Sequence, residues 1–305
     1  MACRFEVTLP VEEHRGVDLA RQSLDRIDQL EDQLTVFRDT SEISFINRTA
    51  STRPVKVEAQ LFELLLLSQR LFRETDGAFD ITSAPLTRCW GFFKRKGRLP
   101  SAAELDASRE RVGMHQVTLN VEDRTLRFTR PGVELNLGSI GKGYALDVVA
   151  AMMRRRGANA VLLSGGSSSV LALGPAARNE GWLVGLRHPQ RCDVRWATVR
   201  LRDCAMATSG SGEQYFEVED KRYGHIIDPR TGMPAEGRTS VTVIAPTAAE
   251  ADALATAFYV GGRELAERYC KRHREVLALI LEDQDLDKPL IIGSNTRCHL
   301  ELAYD

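Results

Sequence analysis

The chain has 305 residues, 43% of them hydrophobic and 27% charged, so it carries enough apolar material for a large core and too much for a disordered protein. Lys and Arg number 41 against 42 Asp and Glu, and a formal net charge of −1 leaves no electrostatic footprint for nucleic acid or an anionic membrane surface. The most apolar run, Leu61 to Leu67, is short and carries Glu63, which excludes a membrane-spanning segment.

In chain order, the residues around Phe5 read as a strand, and no basic region followed by an apolar stretch precedes them, so no secretory signal is expected. Val17 to Thr35 places Ala20, Leu24, Ile27, Leu30 and Leu34 at helical spacing among charges, which predicts an amphipathic helix. Glu58 to Thr75 is apolar around much of its circumference and predicts a central helix, with Gly77 just past its end as the stop. Lys94 to Arg98 reads as a solvated basic loop, and Ser101 with Glu104 as the capping box of a short helix. From Val117 the texture changes to strands. Val117–Val121 and Thr125–Phe128 flank a charged turn as a hairpin. Further strands are expected near Val161–Leu163, Val170–Leu173, Val184–Leu186, Val199–Leu201, Phe216–Val218 and Val241–Ala245. Helices are expected over Gly143–Arg156, Ala248–Val260 and Arg263–Lys271. Early helices and later strands predict an α+β fold, and with no linker or repeat the whole of 1–305 reads as one catalytic unit. The cysteines (Cys3, Cys89, Cys192, Cys204, Cys270, Cys298) form no Cys-x-x-Cys pair, which predicts reduced, mostly buried thiols in a cytoplasmic protein.

Four clusters carry possible chemistry. Thr75 to Pro85 joins a helix end to an extended segment through Gly77, with Asp76 and Asp80; it can present backbone groups to a planar ligand or serve only as a helix stop. Glu134 to Asp147 reads as a strand that ends in a glycine-rich turn through Gly138, Gly141 and Gly143 into a helix, placing amides and Lys142 where phosphates are held. The spacing is neither a Walker A loop nor a dinucleotide fingerprint, so a tight turn explains it equally well. His225 and Asp228 precede the turn Pro229 to Gly232; histidine at such a place can act as acid, base or polar ligand, or the pair can serve only structure at a strand end. Asp252 and Thr256, four apart on one helix, can meet a single hard cation with oxygen ligands, or sit on a solvated face.

Taken in order, these pieces closely resemble the FAD:protein FMN transferase (ApbE) family over nearly the whole length. The match runs through Met1 to Phe5, Ser41-Glu42-Ile43-Ser44 with Asn47, Thr75 to Pro85, and Gly141-Lys142-Gly143-Tyr144-Ala145 with Asp147. It continues through Gly165-Gly166, Thr208-Ser209-Gly210, His225 to Gly232 and Asp252 to Thr256. The resemblance implies an α+β fold of ApbE type, with a tunnelling-fold-like sheet core and an FAD cleft between lobes. It implies that Mg²⁺ assists cleavage of the FAD pyrophosphate, that FMN passes by a phosphoester to a Thr or Ser of an acceptor protein, and that AMP leaves. By motif, the metal is held by Asp252, Thr256 and the carbonyl of Ser139. The FAD contacts are Met1, Phe37, Ala78, Phe79, Asp80, Asn136, Lys142 and Ile227, with His225 and Asp228 as catalytic residues. The chain departs from the family where Asn136 and Ser167 replace Asp, Phe37 replaces Tyr, and Ala2-Cys3 replaces Gly-Thr. Those changes keep two alternatives in view: an FAD pyrophosphatase yielding FMN and AMP, and a non-catalytic flavin-binding protein. No Asp-Gly-x-Ser/Thr stretch of the acceptor kind occurs here, so self-modification is not expected.

Overall fold

The computed structural model describes residues 3–176, 180–191, 193–210, 212 and 214–302. Met1 and Cys192, both named above, lie outside the described residues. The helices are α1 (Gly16–Leu34), α2 (Glu42–Thr49), α3 (Ala59–Glu74), α4 (Ala84–Cys89), α5 (Ala102–Arg109), α6 (Gly141–Arg155) and α7 (Ala248–Arg272). The strands are β1 (Phe5–Thr8), β2 (Val55–Lys56), β3 (Val117–Asn120), β4 (Thr125–Phe128), β5 (Val161–Gly165), β6 (Ser169–Leu173), β7 (Trp182–Arg187) and β8 (Arg195–Leu201). They continue as β9 (Cys204–Gly210), β10 (Tyr215–Val218), β11 (Lys221–Gly224), β12 (Arg238–Ala245), β13 (Leu277–Glu282), β14 (Asp285–Gly293) and β15 (Cys298–Leu302).

The centre is a seven-stranded sheet in the order β1-β5-β6-β9-β12-β13-β14, antiparallel at every pairing. Side chains alternate between its faces. Ala205, Ala207, Val241, Val243, Ala278 and Ile280 point into the main core with α6 and α7. Cys204, Met206, Ile244, Leu277 and Leu279 point the other way, onto the small sheet β15-β8-β7. With both faces covered, a central strand can be a continuous apolar run, as over Leu277–Leu281.

The buried stripe of α1 keeps the expected Ile27, Leu30 and Leu34 but takes Leu19 and Ser23 in place of Ala20 and Leu24, and Leu24 is exposed. Ser23 is tolerated inside because its hydroxyl donates to the Leu19 carbonyl (2.7 Å). α3 ends as expected: Asp76 and Gly77 both take left-handed backbone, and the Gly77 N–H reaches back to the Phe72 carbonyl (2.9 Å). The capping box at Ser101 and Glu104 is formed. The two helices expected over 248–271 are one element with a break at Gly262 (φ 67°, ψ −162°), where Arg238 donates to the carbonyls of Tyr259 and Val260. Among the described residues no helix is long and apolar enough to cross a membrane, and Cys3, Cys89, Cys204, Cys270 and Cys298 are unpaired thiols.

Candidate active site

Two adjoining cavities, of about 770 and 260 Å³, open between α4, the turn before α6, and the hairpin β10–β11. They share walls at Asn136, Lys142, Ser168 and His225. The larger has the size of a cofactor site. The smaller gathers Ala78, Asp80, Ser139, Ile227, Asp252 and Thr256 from four separate stretches of chain. Phe37, 72% exposed and packed at a tilt against Phe93 with ring centres 4.7 Å apart, stands on the wall of the larger. Two expected residues lie elsewhere. Phe79 is buried in the main core and lines neither cavity. Asp228 also lines neither: its carboxylate accepts from the Arg230 guanidinium at 2.9 and 2.7 Å and from the Arg230 backbone N–H at 2.9 Å. It holds the turn that Gly232 closes with φ +79°.

Asp252 is the most elaborately supported side chain of the site. Only 5% exposed, it accepts from the Gly143 N–H at Oδ2 (3.0 Å) and from the Ser169 hydroxyl at Oδ1 (2.9 Å). The Lys142 ammonium stands 3.5 Å from Oδ1. Those donors come from α6 and β6, so three elements fix one carboxylate. The first N–H groups of any helix lack intrahelical partners. Here Asp252 of α7 satisfies that of Gly143 in α6, and Asp147 of α6 satisfies those of Ala248 and Ala249 in α7 (2.8 Å each). The two helix starts cap each other. They approach so closely that a Cβ on Gly143 would lie 2.0 Å from the Ala248 carbonyl oxygen, which is why glycine follows Lys142. Burial, with Glu250 and Asp252 nearby, pushes the Asp147 carboxyl up to about 7 despite those two hydrogen bonds.

One turn after Asp252, the Thr256 hydroxyl lies 3.2 Å from that of Ser209 on β9. A carboxylate, a hydroxyl and the nearby Ser139 backbone are all hard oxygen donors, and each carboxylate oxygen of Asp252 keeps a lone pair beyond its present bonds. Such a set fits Mg²⁺, which takes few protein oxygens and completes its shell with water and phosphate. It is not a cage: among the described residues no three His, Cys, Asp or Glu side chains cluster.

The His225 ring hydrogen-bonds through Nδ1 to the carbonyl of Gln214 (3.1 Å), and the edge-on Phe92 ring packs 6.5 Å away. A carbonyl only accepts, so in the neutral ring the proton sits on Nδ1 and Nε2 carries the lone pair. Gln214, rather than Asp228, orients this ring. Asp80 is 5% exposed; its Oδ1 accepts from the Thr82 N–H (2.7 Å) and hydroxyl (2.6 Å), and its Oδ2 makes no hydrogen bond. Burial raises its carboxyl to about 6. Asn136 turns its Oδ1 back onto the Gly138 N–H (2.9 Å), shaping the glycine turn. The segment before it is not a strand. Asn47 stands in for a neighbouring strand, its amide donating to the Leu135 carbonyl (3.0 Å) and accepting from the Leu135 N–H (2.8 Å). Ser169, Gly143, Ser209, Asn47 and Gln214 are site residues that composition and spacing did not single out for these roles.

A family model described as the ApbE family matches residues 1–281, and the chain belongs to that family. Among curated proteins it is 31% identical over 292 residues to the FAD:protein FMN transferase of Escherichia coli, covering 93% of this chain and 83% of that protein. It is 34% identical over 266 residues to one from Klebsiella pneumoniae, covering 85% and 75%. Among solved structures, the ApbE protein of Thermotoga maritima superposes with a TM-score of 0.84 at 29% identity, covering 95% of this chain and 92% of that one. The flavin transferase ApbE of Vibrio cholerae gives 0.80 at 28%, covering 96% and 95%. The expected α+β fold of ApbE type is therefore the observed one.

Proposed function

We propose that this chain is a Mg²⁺-dependent FAD:protein FMN transferase. The observation that carries the reading is the convergence of Asp252, Thr256, Lys142 and His225 on one cavity, in a chain whose relatives bear that activity in their names. Asp252, Thr256 and the Ser139 carbonyl hold the ion, which when bound supplies positive charge against the FAD pyrophosphate. Lys142 adds a second positive charge from the start of α6. Ala78, Ile227, Asn136 and Phe37 line the walls that receive FAD, and Asp80 offers its unpaired Oδ2 to a donor on the cofactor. Met1 and Phe79 belong to the proposed FAD contacts through the motif alone. His225 takes the proton of the acceptor hydroxyl at Nε2 as that oxygen bonds to the phosphorus of the FMN half. The bond from that phosphorus to the bridging oxygen breaks, and AMP leaves with the oxygen. Asp228 contributes as a positioning residue, through the turn that follows His225. The free thiols fit a reducing, cytoplasmic setting.

The test is incubation of the protein with FAD, Mg²⁺ and an acceptor domain bearing an exposed flavinylation-type threonine. AMP and covalently flavinylated acceptor should appear together. Free FMN and AMP formed equally well without acceptor would replace the reading with FAD hydrolysis, and bound FAD without AMP would replace it with flavin carriage.

A further inference from the structure

The segment between α4 and α5 is built more firmly than a solvated loop needs. Gly91 takes left-handed backbone (φ +76°), the N–H groups of Lys94 and Lys96 both return to the Gly91 carbonyl, and that of Arg98 returns to Trp90 (3.1 Å). Gly97 lies flat on the Phe216 ring, where a Cβ would come within 2.0 Å. Arg95 also takes left-handed backbone (φ 54°), a costly conformation for a side chain of this kind. The tight turn presents Lys94, Arg95 and Lys96 as three consecutive exposed cations, and among the described residues no ion pair engages any of them. The cations beside them are committed: Arg98 to Glu104 (2.7 Å), and Arg88 to Glu134 (2.9 Å) and the Phe93 ring.

The position matters as much as the charge. Arg95 and Gly97 line the larger cavity on the stretch of wall that also holds His225 and Tyr215, and Arg222 lies over the Tyr215 ring (3.3 Å). None of residues 94–98 lines the smaller cavity, where Lys142 and Asp252 stand. On a chain of net charge −1, uncompensated cations concentrated on one rim form a local field that steers an oppositely charged partner. We propose that the 94–96 turn is the docking rim for the acceptor protein, and that it selects acceptors whose segment flanking the reacting Ser or Thr is acidic. This rests on the transferase reading. It adds that the acceptor reaches His225 over this rim, on the side of the cleft away from the metal site.

The experiment uses the full chain loaded with FAD and two labelled peptides, each with one central Thr, flanked in one by Asp and Glu and in the other by Lys. Binding is read by fluorescence anisotropy. The acidic peptide should bind about tenfold more tightly than the basic one at ~20 mM salt and lose most of that advantage at ~0.5 M, because exposed charges are screened. The double variant Lys94→Glu/Lys96→Glu should abolish or reverse the preference while leaving FAD affinity unchanged. Lys94→Gln/Lys96→Gln should fall between, which separates charge from any local disturbance. Equal binding of both peptides to the unaltered protein would overturn the proposal, as would a preference untouched by the double variant. A matching loss of FAD affinity would assign the cations to FAD instead. Acidic-peptide binding that meets these expectations without any FMN transfer would sink the transferase reading and leave the rim standing.

Discussion

Replacing Gly143 by alanine tests the construction of the site without assuming its chemistry. In the structure the new Cβ would stand 2.0 Å from the Ala248 carbonyl oxygen, 2.3 Å from its carbon and 2.7 Å from the Ala249 nitrogen. All three are backbone atoms, so no side chain can rotate away. A carbon and a carbonyl oxygen need about 3.3 Å even in a close contact, so α6 and α7 must part by roughly 1 Å at their starts. Alanine gains about 1 kcal/mol in helix propensity. Against that stand about 1–3 kcal/mol of overpacking and about 1.5–3 kcal/mol for the Gly143 N–H bond to a charged carboxylate. The net loss comes to about 1.5–5 kcal/mol. Urea unfolding followed by far-ultraviolet circular dichroism measures it, and Mg²⁺-dependent turnover of FAD should fall in parallel as Asp252 loses a donor. A Gly143→Ala protein as stable as the parent, with unchanged turnover, would refute the claim that these helix starts are held at contact.

Asp252→Ala should abolish metal-dependent AMP release while circular dichroism shows the fold retained; full Mg²⁺-dependent activity in that variant would remove Asp252 from the metal site. His225→Ala should lower turnover at least about 100-fold with little change in FAD affinity, the pattern of a residue acting on the proton in the transition state. Loss of FAD binding with normal turnover of the remaining complex would make it a binding residue instead. Asp147 has a carboxyl raised to about 7, so the folded chain holds a proton there that the unfolded chain releases near pH 4. Its contribution therefore makes stability fall as pH rises from about 4 to 7, and Asp147→Asn should flatten that slope in a series of pH-dependent melts. Asn47→Ala should weaken FAD binding several-fold by loosening the Leu135 segment and the Asn136 turn, detectable by titrating flavin fluorescence.

Helices with one wet face were legible from sequence: α1, α3, α6 and α7 fall within two residues of their expected ends, and even the break at Gly262 was expected between two helices. The central strands β9 and β13 were not; in β13, covered on both faces, Leu277–Leu281 is an apolar run with no alternation to mark it as a strand. That Asp252 and Thr256 face one cavity was legible because side chains four apart on a helix share a face, whatever the rest of the fold does. Gly143, Asn47 and Ser169 were opaque for the opposite reason. Their partners, Asp252, Leu135 and again Asp252, lie 109, 88 and 83 residues away, and what matters is a backbone N–H, an amide imitating a peptide group, and a buried hydroxyl. No local pattern encodes a contact of that range. Asp228 shows the converse, since proximity in sequence to His225 suggested a shared role, whereas its carboxylate is consumed by its own turn.

The reciprocal sealing of α6 and α7 has a consequence for how the site comes into being. Each helix start relies on a carboxylate from the other, so neither can fray alone without exposing groups that its neighbour was satisfying. Opening one end opens both, and the carboxylate that faces the cleft belongs to the pair rather than to either helix. A partly assembled chain thus has no half-made site to offer. The Asp252 corner of the cleft arrives in a single step when the two helices dock, and it vanishes in a single step when they separate. Anything that binds there stabilises the whole junction and not one side chain.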